Sequence, residues 1–465
     1  MSIASELTAL STNITNAYNA VSAKSGTLPA NKNTSNLATA INSIPSGGGG
    51  GMNIVNGIIA NFKAASSTVS ASAFVEFVNS VTTGTDTRLT TVTSSYYYAS
   101  AVALSSDKVF IAHRGDAYLY GVVCTISGTT ITAGTDTQLS TVTNSFTFAS
   151  AAALDSGKVF VAHRNGDALY GLVCTISGTT ITVGTDTQIS ANTNDYYYSS
   201  VVALSANKVF VAHRGVSGLT SALFGIVCTI SGTTITVGTD KLLSNGSSAF
   251  YYASAVALSS DKVFVAHRNG DYLYGVVCTI SGTTVTVGTD TQLSTGASSY
   301  EYASAVMFDT NKVFVAHRND TYLYGVVCTI SGTTITAGTD KLLSSVANSY
   351  NYASAVALGT DTVFVAHRNG NYLYGMVCAI SGSTISATND VQLSTVSNTY
   401  TYASAALLGG NNLFIAHRNG SYLNGLVCTA SSITVQLATS QSSISAVTNT
   451  QCTTTTAGQV WVLNS

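Results

Sequence analysis

The sequence predicts a mainly β fold: a β-propeller of eight four-stranded blades, preceded by a small N-terminal helical module. Three observations lead to it. First, a His-Arg pair recurs as His113-Arg114, His163-Arg164, His213-Arg214, His267-Arg268, His317-Arg318, His367-Arg368 and His417-Arg418, at spacings of 50, 50, 54, 50, 50 and 50 residues. A cysteine keeps the same period, from Cys124 through Cys174, Cys228, Cys278, Cys328 and Cys378 to Cys428. A fixed period near 50 with strand-forming units is the signature of propeller blades. Second, each unit is rich in Val, Ile, Thr, Phe and Tyr in short runs punctuated by Ser-Gly and Asp-containing turns, as strands and hairpins require. Third, half-units flank the repeats at both ends.

From the N-terminus, residues 4–24 carry an apolar stripe at Leu7, Leu10, Ile14, Tyr18 and Val21, the spacing of a helix that packs on partner helices. Gly26 and Pro29 end it. A second helix starts at Asn33 or Thr34, turns Leu37, Ile41 and Ile44 to one side, and stops at Pro45. Residues 1–45 thus form a helical anchoring and oligomerisation module, too short to bury a good core alone. Residues 46–51 are a Gly-rich linker. Residues 52–73 are transitional, with Ile54, Val55, Ile58, Ile59 and Phe62 suited to a strand or a short helix.

The propeller is assigned to residues 74–465. In the first full unit, strand A covers about 99–104, B about 108–113, C about 118–126 and D about 129–139. At the front, 74–78 and 81–89 resemble strands C and D; Gly84-Thr85-Asp86 matches Gly134-Thr135-Asp136. At the back, 451–457 and 459–463 resemble strands A and B. Joined, the two halves make an eighth blade that removes free sheet edges. Seven blades with an unmatched tail is the alternative.

Only 8% of residues are charged and the net charge is −2, against about 25% charged in ordinary soluble proteins. There is no basic footprint for nucleic acid. No secretory signal is read in residues 1–14, and no run of about 18 apolar residues could span a membrane. Seven cysteines in equivalent places of successive blades read as buried free thiols, consistent with folding in a reducing cytosol.

Seven imidazoles at blade spacing lie too far apart to share one ion, so no metal and no cofactor are expected. The His-Arg series is read as structural, with each His bonding within its own or the next blade. The Arg is expected to pair with the Asp of the Gly-Thr-Asp element, which recurs as Asp86, Asp136, Asp186, Asp240, Asp290, Asp340 and Asp390. Only three glutamates exist, Glu6, Glu76 and Glu301, and no nucleophile elbow, phosphate loop or Cys-x-x-Cys is present. The sequence therefore points away from an enzyme.

Comparison of the copies locates the variable face. The C–D turn is nearly constant, Ser-Gly-Thr-Thr in the first five units and Ser-Gly-Ser-Thr in the sixth, and only the seventh departs, with Ser431-Ser432-Ile433-Thr434. The B–C and D–A segments change. Their varying residues are the candidate ligand-binding set: Tyr97, Thr147, Tyr197, Tyr251, Glu301, Asn351 and Thr401 in the D–A segments, and Asp116, Asp167, Asp271, Asp320, Asn371 and Ser421 in the B–C loops. Tyrosines, 25 in all, offer flat apolar faces with a polar tip, which suits sugar rings.

The N-terminal stretch Leu7-x-x-Leu10, Asn13-Ile14, Ala17-Tyr18, Val21-x-x-Lys24-x-Gly26-Thr27-x-Pro29, Asn31-Lys32-Asn33 and Asn36-Leu37-Ala38 resembles the N-terminal module of tail-associated structural proteins from phages and prophages of Gram-positive bacteria. The Phe74-Val75-Glu76-Phe77-Val78 segment and the Lys-Val-Phe-Val-Ala-His repeats are similar to long repeat proteins of the same group. The resemblance implies a virion tail component, assembled in the host cytoplasm, that joins other tail or baseplate proteins through residues 1–45. Its propeller would bind host cell-surface polysaccharide, with a homo-oligomer formed through the N-terminal helix. The alternative is a structural or decoration protein whose propeller contacts other virion proteins.

Overall fold

The computed structural model describes residues 74–90, 99–115, 118–140, 149–166, 168–190, 199–217, 220–244, 252–294, 301–319, 321–344, 353–394, 403–438 and 459–461. Every described element is a strand. The helices expected in residues 1–45 lie outside the described residues, so the description is all-β rather than β with a helical module.

Asn79–Ser432 form one compact unit, a ring of seven four-stranded blades. In blade 1 the strands are A, Ala99–Ser105; B, Lys108–Gly115; C, Tyr118–Ser127; and D, which is split into Thr130–Ala133 and Thr137–Gln138. The order across the sheet is A-B-C-D, and both pieces of D pair with C. The break falls at Gly134-Thr135-Asp136, where the Gly134 amide donates to the Val123 carbonyl at 2.8 Å. The A strands of the other blades are Ala149–Asp155, Ser199–Ser205, Ser254–Ser259, Glu301–Asp309, Ser354–Ala357 and Ala403–Gly409.

The A strands abut in sequence, and that of blade 7 abuts that of blade 1. A circle of identical hydrogen bonds follows this contact. The Ala151 amide donates to Ser100 Oγ at 3.0 Å, the Val201 amide to Ser150 Oγ at 3.0 Å, and so on round the ring, until the Ala101 amide donates to Ser404 Oγ at 2.9 Å.

Strands B and C are buried on both faces because each blade is sandwiched between two others. Val109, Phe110, Ile111 and Ala112 are wholly buried, as are Val122, Val123 and Cys124. This explains why these strands read as continuous apolar runs rather than alternating ones. The core consists of interblade layers. In one, Phe110, Leu119 and Val123 of blade 1 meet Val159, Val161 and Leu172 of blade 2.

Among the described residues there are seven blade sheets and no eighth. Its expected front half completes blade 7 instead. The strand Phe74–Thr83 lies beside strand C of blade 7 (Tyr422–Ala438), Thr87 pairs with Gly425, and the Gly84 amide donates to the Val427 carbonyl at 2.8 Å. The N-terminal segment is therefore strand D of the last blade, and Leu89 packs with Phe414 and Leu423 in the layer between blades 7 and 1. The physical reason lies at the C–D turn. In blade 1 a two-residue loop turns at Gly128, whose φ of +60° suits glycine. Blade 7 has Ser431-Ser432 at this point, and strand C runs straight on for 17 residues. The vacated edge is filled from the other end of the chain. Of the expected back half, 451–457 lies outside the described residues. The strand Gln459–Trp461 pairs with Phe74–Glu76 and is not part of a further blade.

The seven repeat cysteines are buried and free. Burial pushes their thiol pKa up to about 12.

Candidate ligand-binding face

The repeated polar residues form an internal ladder. At the end of each strand B, a buried histidine bonds through Nε2 to the aspartate at the break in strand D: His113 to Asp136 at 2.8 Å, His163 to Asp186 at 2.9 Å, His213 to Asp240 at 2.8 Å, His267 to Asp290 at 2.9 Å, His317 to Asp340 at 3.0 Å, His367 to Asp390 at 3.0 Å, and His417 to Asp86 at 3.1 Å. A serine from the preceding blade donates to the other carboxylate oxygen, as Ser140 does to Asp186 at 2.9 Å and Ser394 to Asp86 at 2.8 Å. The ladder thus ties each blade internally and to its neighbour.

Ser, His and Asp are the residue types of a catalytic triad, but the order is wrong for one. The serine hydroxyl bonds to the aspartate and not to the imidazole, so the base does not reach the nucleophile. Among the described residues no group of three or more His, Cys, Asp or Glu could hold a metal.

The expected Arg–Asp pairing is corrected: the histidine takes the aspartate. The arginine bends back over its own B–C turn, with Nε of Arg164, Arg268, Arg368 and Arg418 donating to the carbonyls of Gly166, Gly270, Gly370 and Gly420 at 2.6–2.7 Å. Nη2 of Arg214 donates to Ser221 Oγ at 2.7 Å. Adjacent residues of a strand project from opposite faces of the sheet: the histidine stands on the face where its Nε2 reaches the aspartate, and the arginine, on the other face, reaches the turn.

Burial tends to raise the pKa of Asp86, but the hydrogen bond and charge of His417, with hydrogen bonds from Asn424 and Ser394, outweigh it and hold this carboxyl below its usual 3.8. Asp390 is held down in the same way by His367, Ser344 and Asn369.

On the B–C face, Asp271, Asn371 and Ser421 sit exposed at turn tips. Glu301 lies in a strand with its backbone opposite Arg318. Tyr97, Thr147, Tyr197, Tyr251, Asn351, Thr401, Asp116, Asp167 and Asp320 lie outside the described residues. The structure adds a set the sequence reading passed over. Strand C begins at this face with Tyr118, Tyr272, Tyr322, Tyr372 and Tyr422, all half-buried, whereas blades 2 and 3 have Ala168 and Ala222 there. Two residues on, a second aromatic stacks on the ladder histidine, as Tyr120 does on His113 with ring centroids 5.9 Å apart. The signal was in the sequence, as Tyr-Leu-Tyr-Gly after the turn. Blade 7 departs from it with Asn424, whose amide donates to Asp86 at 2.9 Å, and with Arg88, whose guanidinium lies 3.6 Å from the centre of the Tyr422 ring.

No protein-family model matches the chain, and no curated protein matches it. Solved structures do. A polysaccharide lyase of the ulvan lyase family PL25, bound to -[GlcA(1-4)Rha3S]-, superposes with a TM-score of 0.50 at 8% identity, covering 80% of this chain and 96% of that one. The NanB sialidase from Streptococcus pneumoniae gives 0.45 at 12% identity, covering 77% and 71%. The β-propeller domain of the Trilobed protease from Pyrococcus furiosus gives 0.40 at 8%, covering 74% and 98%. At these identities the likeness is one of fold. It nevertheless overturns the expectation that the chain is not an enzyme. That expectation rested on missing motifs and a repetitive set of acids, and nearly the whole length of a polysaccharide lyase shares this fold.

Proposed function

We propose that the B–C/D–A face of the ring binds glycans of a cell surface. The observation that carries this reading is the row of half-buried tyrosines at the start of strand C, set beside the polar turn tips Asp271, Asn371 and Ser421. A half-buried tyrosine keeps part of its surface in solvent and offers an apolar plane with a hydroxyl at the end, the complement of a pyranose with its axial C–H face and equatorial hydroxyls; at Tyr422 one face of the ring is taken by the Arg88 guanidinium. The ladder beneath fixes the turns, and loops on a rigid scaffold are suited to recognition. Repeated weak sites on one face gain by multivalency.

We further propose that the protein is a virion tail component, with residues 1–45 attached to other tail or baseplate proteins and the ring turned toward the host surface. The support is the resemblance of the N-terminal stretch and of the repeats to phage tail-associated proteins. The test is to probe the full chain against arrayed bacterial surface glycans and against tail particles assembled without it. Binding to both fits the proposal. Binding to particles alone, with no glycan retained, leaves a structural or decoration protein.

A further inference from the structure

We infer that the ligand of this face is a linear, hydroxyl-rich glycan chain lying along an arc of five consecutive tyrosines, rather than single sugars in seven equivalent sites. The inference rests on the glycan-binding reading above and narrows it.

The strand C residue paired with the residue that follows His-Arg in strand B is tyrosine in blades 1, 4, 5, 6 and 7, and alanine in blades 2 and 3. In the sequence Tyr118 stands apart from the other four. Closure of the ring brings it next to them, because blade 7 abuts blade 1 through their A strands and through the bond from the Ala101 amide to Ser404 Oγ at 2.9 Å. Tyr272, Tyr322, Tyr372, Tyr422 and Tyr118 therefore follow one another without interruption, and the two alanines make a single gap.

The fold does not demand these tyrosines. Blade 2 keeps the same strand register with Ala168 opposite Asn165, as Tyr118 stands opposite Gly115. It also keeps the same buried neighbour, Leu169 at 1% exposure, and the same His163–Asp186 bond at 2.9 Å. A half-buried aromatic that can be alanine at no cost to the ladder is set by something other than the blade.

The gap is marked a second time, by a different feature. In blade 3 strands B and C run on as Lys208–Ser217 and Thr220–Ser231, with Val216 opposite Ser221 and Ser217 opposite Thr220. The corresponding strands of blade 4 end their pairing at Asn269 and Tyr272. The longer hairpin belongs to blade 3, the blade before Tyr272 of blade 4, and so falls at one end of the arc.

Spacing selects a polymer. Facing sheets pack about 10 Å apart, more than the width of one sugar ring. A single sugar cannot stack on two of these tyrosines, while an extended chain can meet several in turn and gain from each.

The experiment uses the full chain and linear glucan, galactan, mannan, rhamnan and chitin oligomers, each graded by length. For whichever series binds, affinity is expected to rise with length. Tyr372→Ala, in the middle of the arc, should lower affinity for the longest oligomer by about tenfold and flatten the rise. Ala168→Tyr, which lengthens the arc beyond Tyr118, should extend the rise to longer oligomers and needs no loss of packing. Binding that does not change with length would overturn the arc and leave the glycan-binding reading standing. Binding to none of the oligomers or bacterial surface glycans would overturn both.

Discussion

His417 bonds through Nε2 to Oδ1 of Asp86 at 3.1 Å, although the two residues are 331 positions apart. In blade 1 the same pair, His113 and Asp136, is separated by only 23 positions. The long pair is where the two ends of the ring meet. Asp86 arrives on the N-terminal strand and accepts from His417, Asn424 and Ser394. Arg88, two residues on, lies against Tyr422.

Replacement of this acceptor should open the ring at one place. Asp86→Ala leaves a buried imidazole, a serine and an amide without their common partner. It should lower stability by about 1–3 kcal/mol, read from urea unfolding. Hydrogen exchange should rise first in strand D and strand C of blade 7. An equal rise in all seven blades would contradict the assignment of Asp86 as the closing contact.

Acid should weaken the ladder with a definite sign. Asp86 and Asp390 have folded pKa values below 3.8, so their contribution to stability is present above the unfolded carboxylate pKa. It is lost as pH falls through the folded value. Melting temperature should therefore drop below about pH 4 in the native chain. Asp390→Asn should be less stable at neutral pH and should lose less on acidification, as followed by circular dichroism.

The buried thiols should be silent. With their pKa near 12 and no route to solvent, Cys124 and its six equivalents should not react with a thiol reagent at pH 8 in the native state. These seven should label only after unfolding. Labelling of several repeat cysteines in the native state would contradict the interblade packing.

The glycine of strand C is set by the phenylalanine beside it. A Cβ at Gly375 would lie 2.6 Å from Phe364 Cζ. Gly375→Ala should destabilise by about 1–3 kcal/mol through overpacking. Adding Phe364→Leu should recover part of that loss, a coupling that a double-mutant cycle of unfolding free energies measures.

The period, the four strands per unit and the burial of the cysteines were legible because each repeats seven times with the same neighbours. The blade count was misread at one place. Residues 74–78 and 81–89 look like two strands, and pairing them with the C-terminal tail gives an eighth blade. Yet the chain holds seven His-Arg pairs and seven matching aspartates, and Asp86 has no histidine in its own half-unit. Its partner is His417, and only the three-dimensional closure shows it. The choice between His and Arg as the partner of Asp was hidden for a similar reason. Adjacent residues point to opposite sides of a strand, and the sequence does not say which side faces strand D. At the candidate face, Tyr118 and its equivalents read in the sequence as part of the constant blade, and their meaning depends on blades 7 and 1 being neighbours.

The most direct test of the central claim is equilibrium binding of the full chain to arrayed bacterial surface glycans, compared with Tyr322→Ala. The account predicts that the native chain retains at least one glycan. The variant, with an unchanged melting temperature, should bind it about tenfold or more weakly. Retention of no glycan by the native chain, or equal binding by the variant, would contradict it.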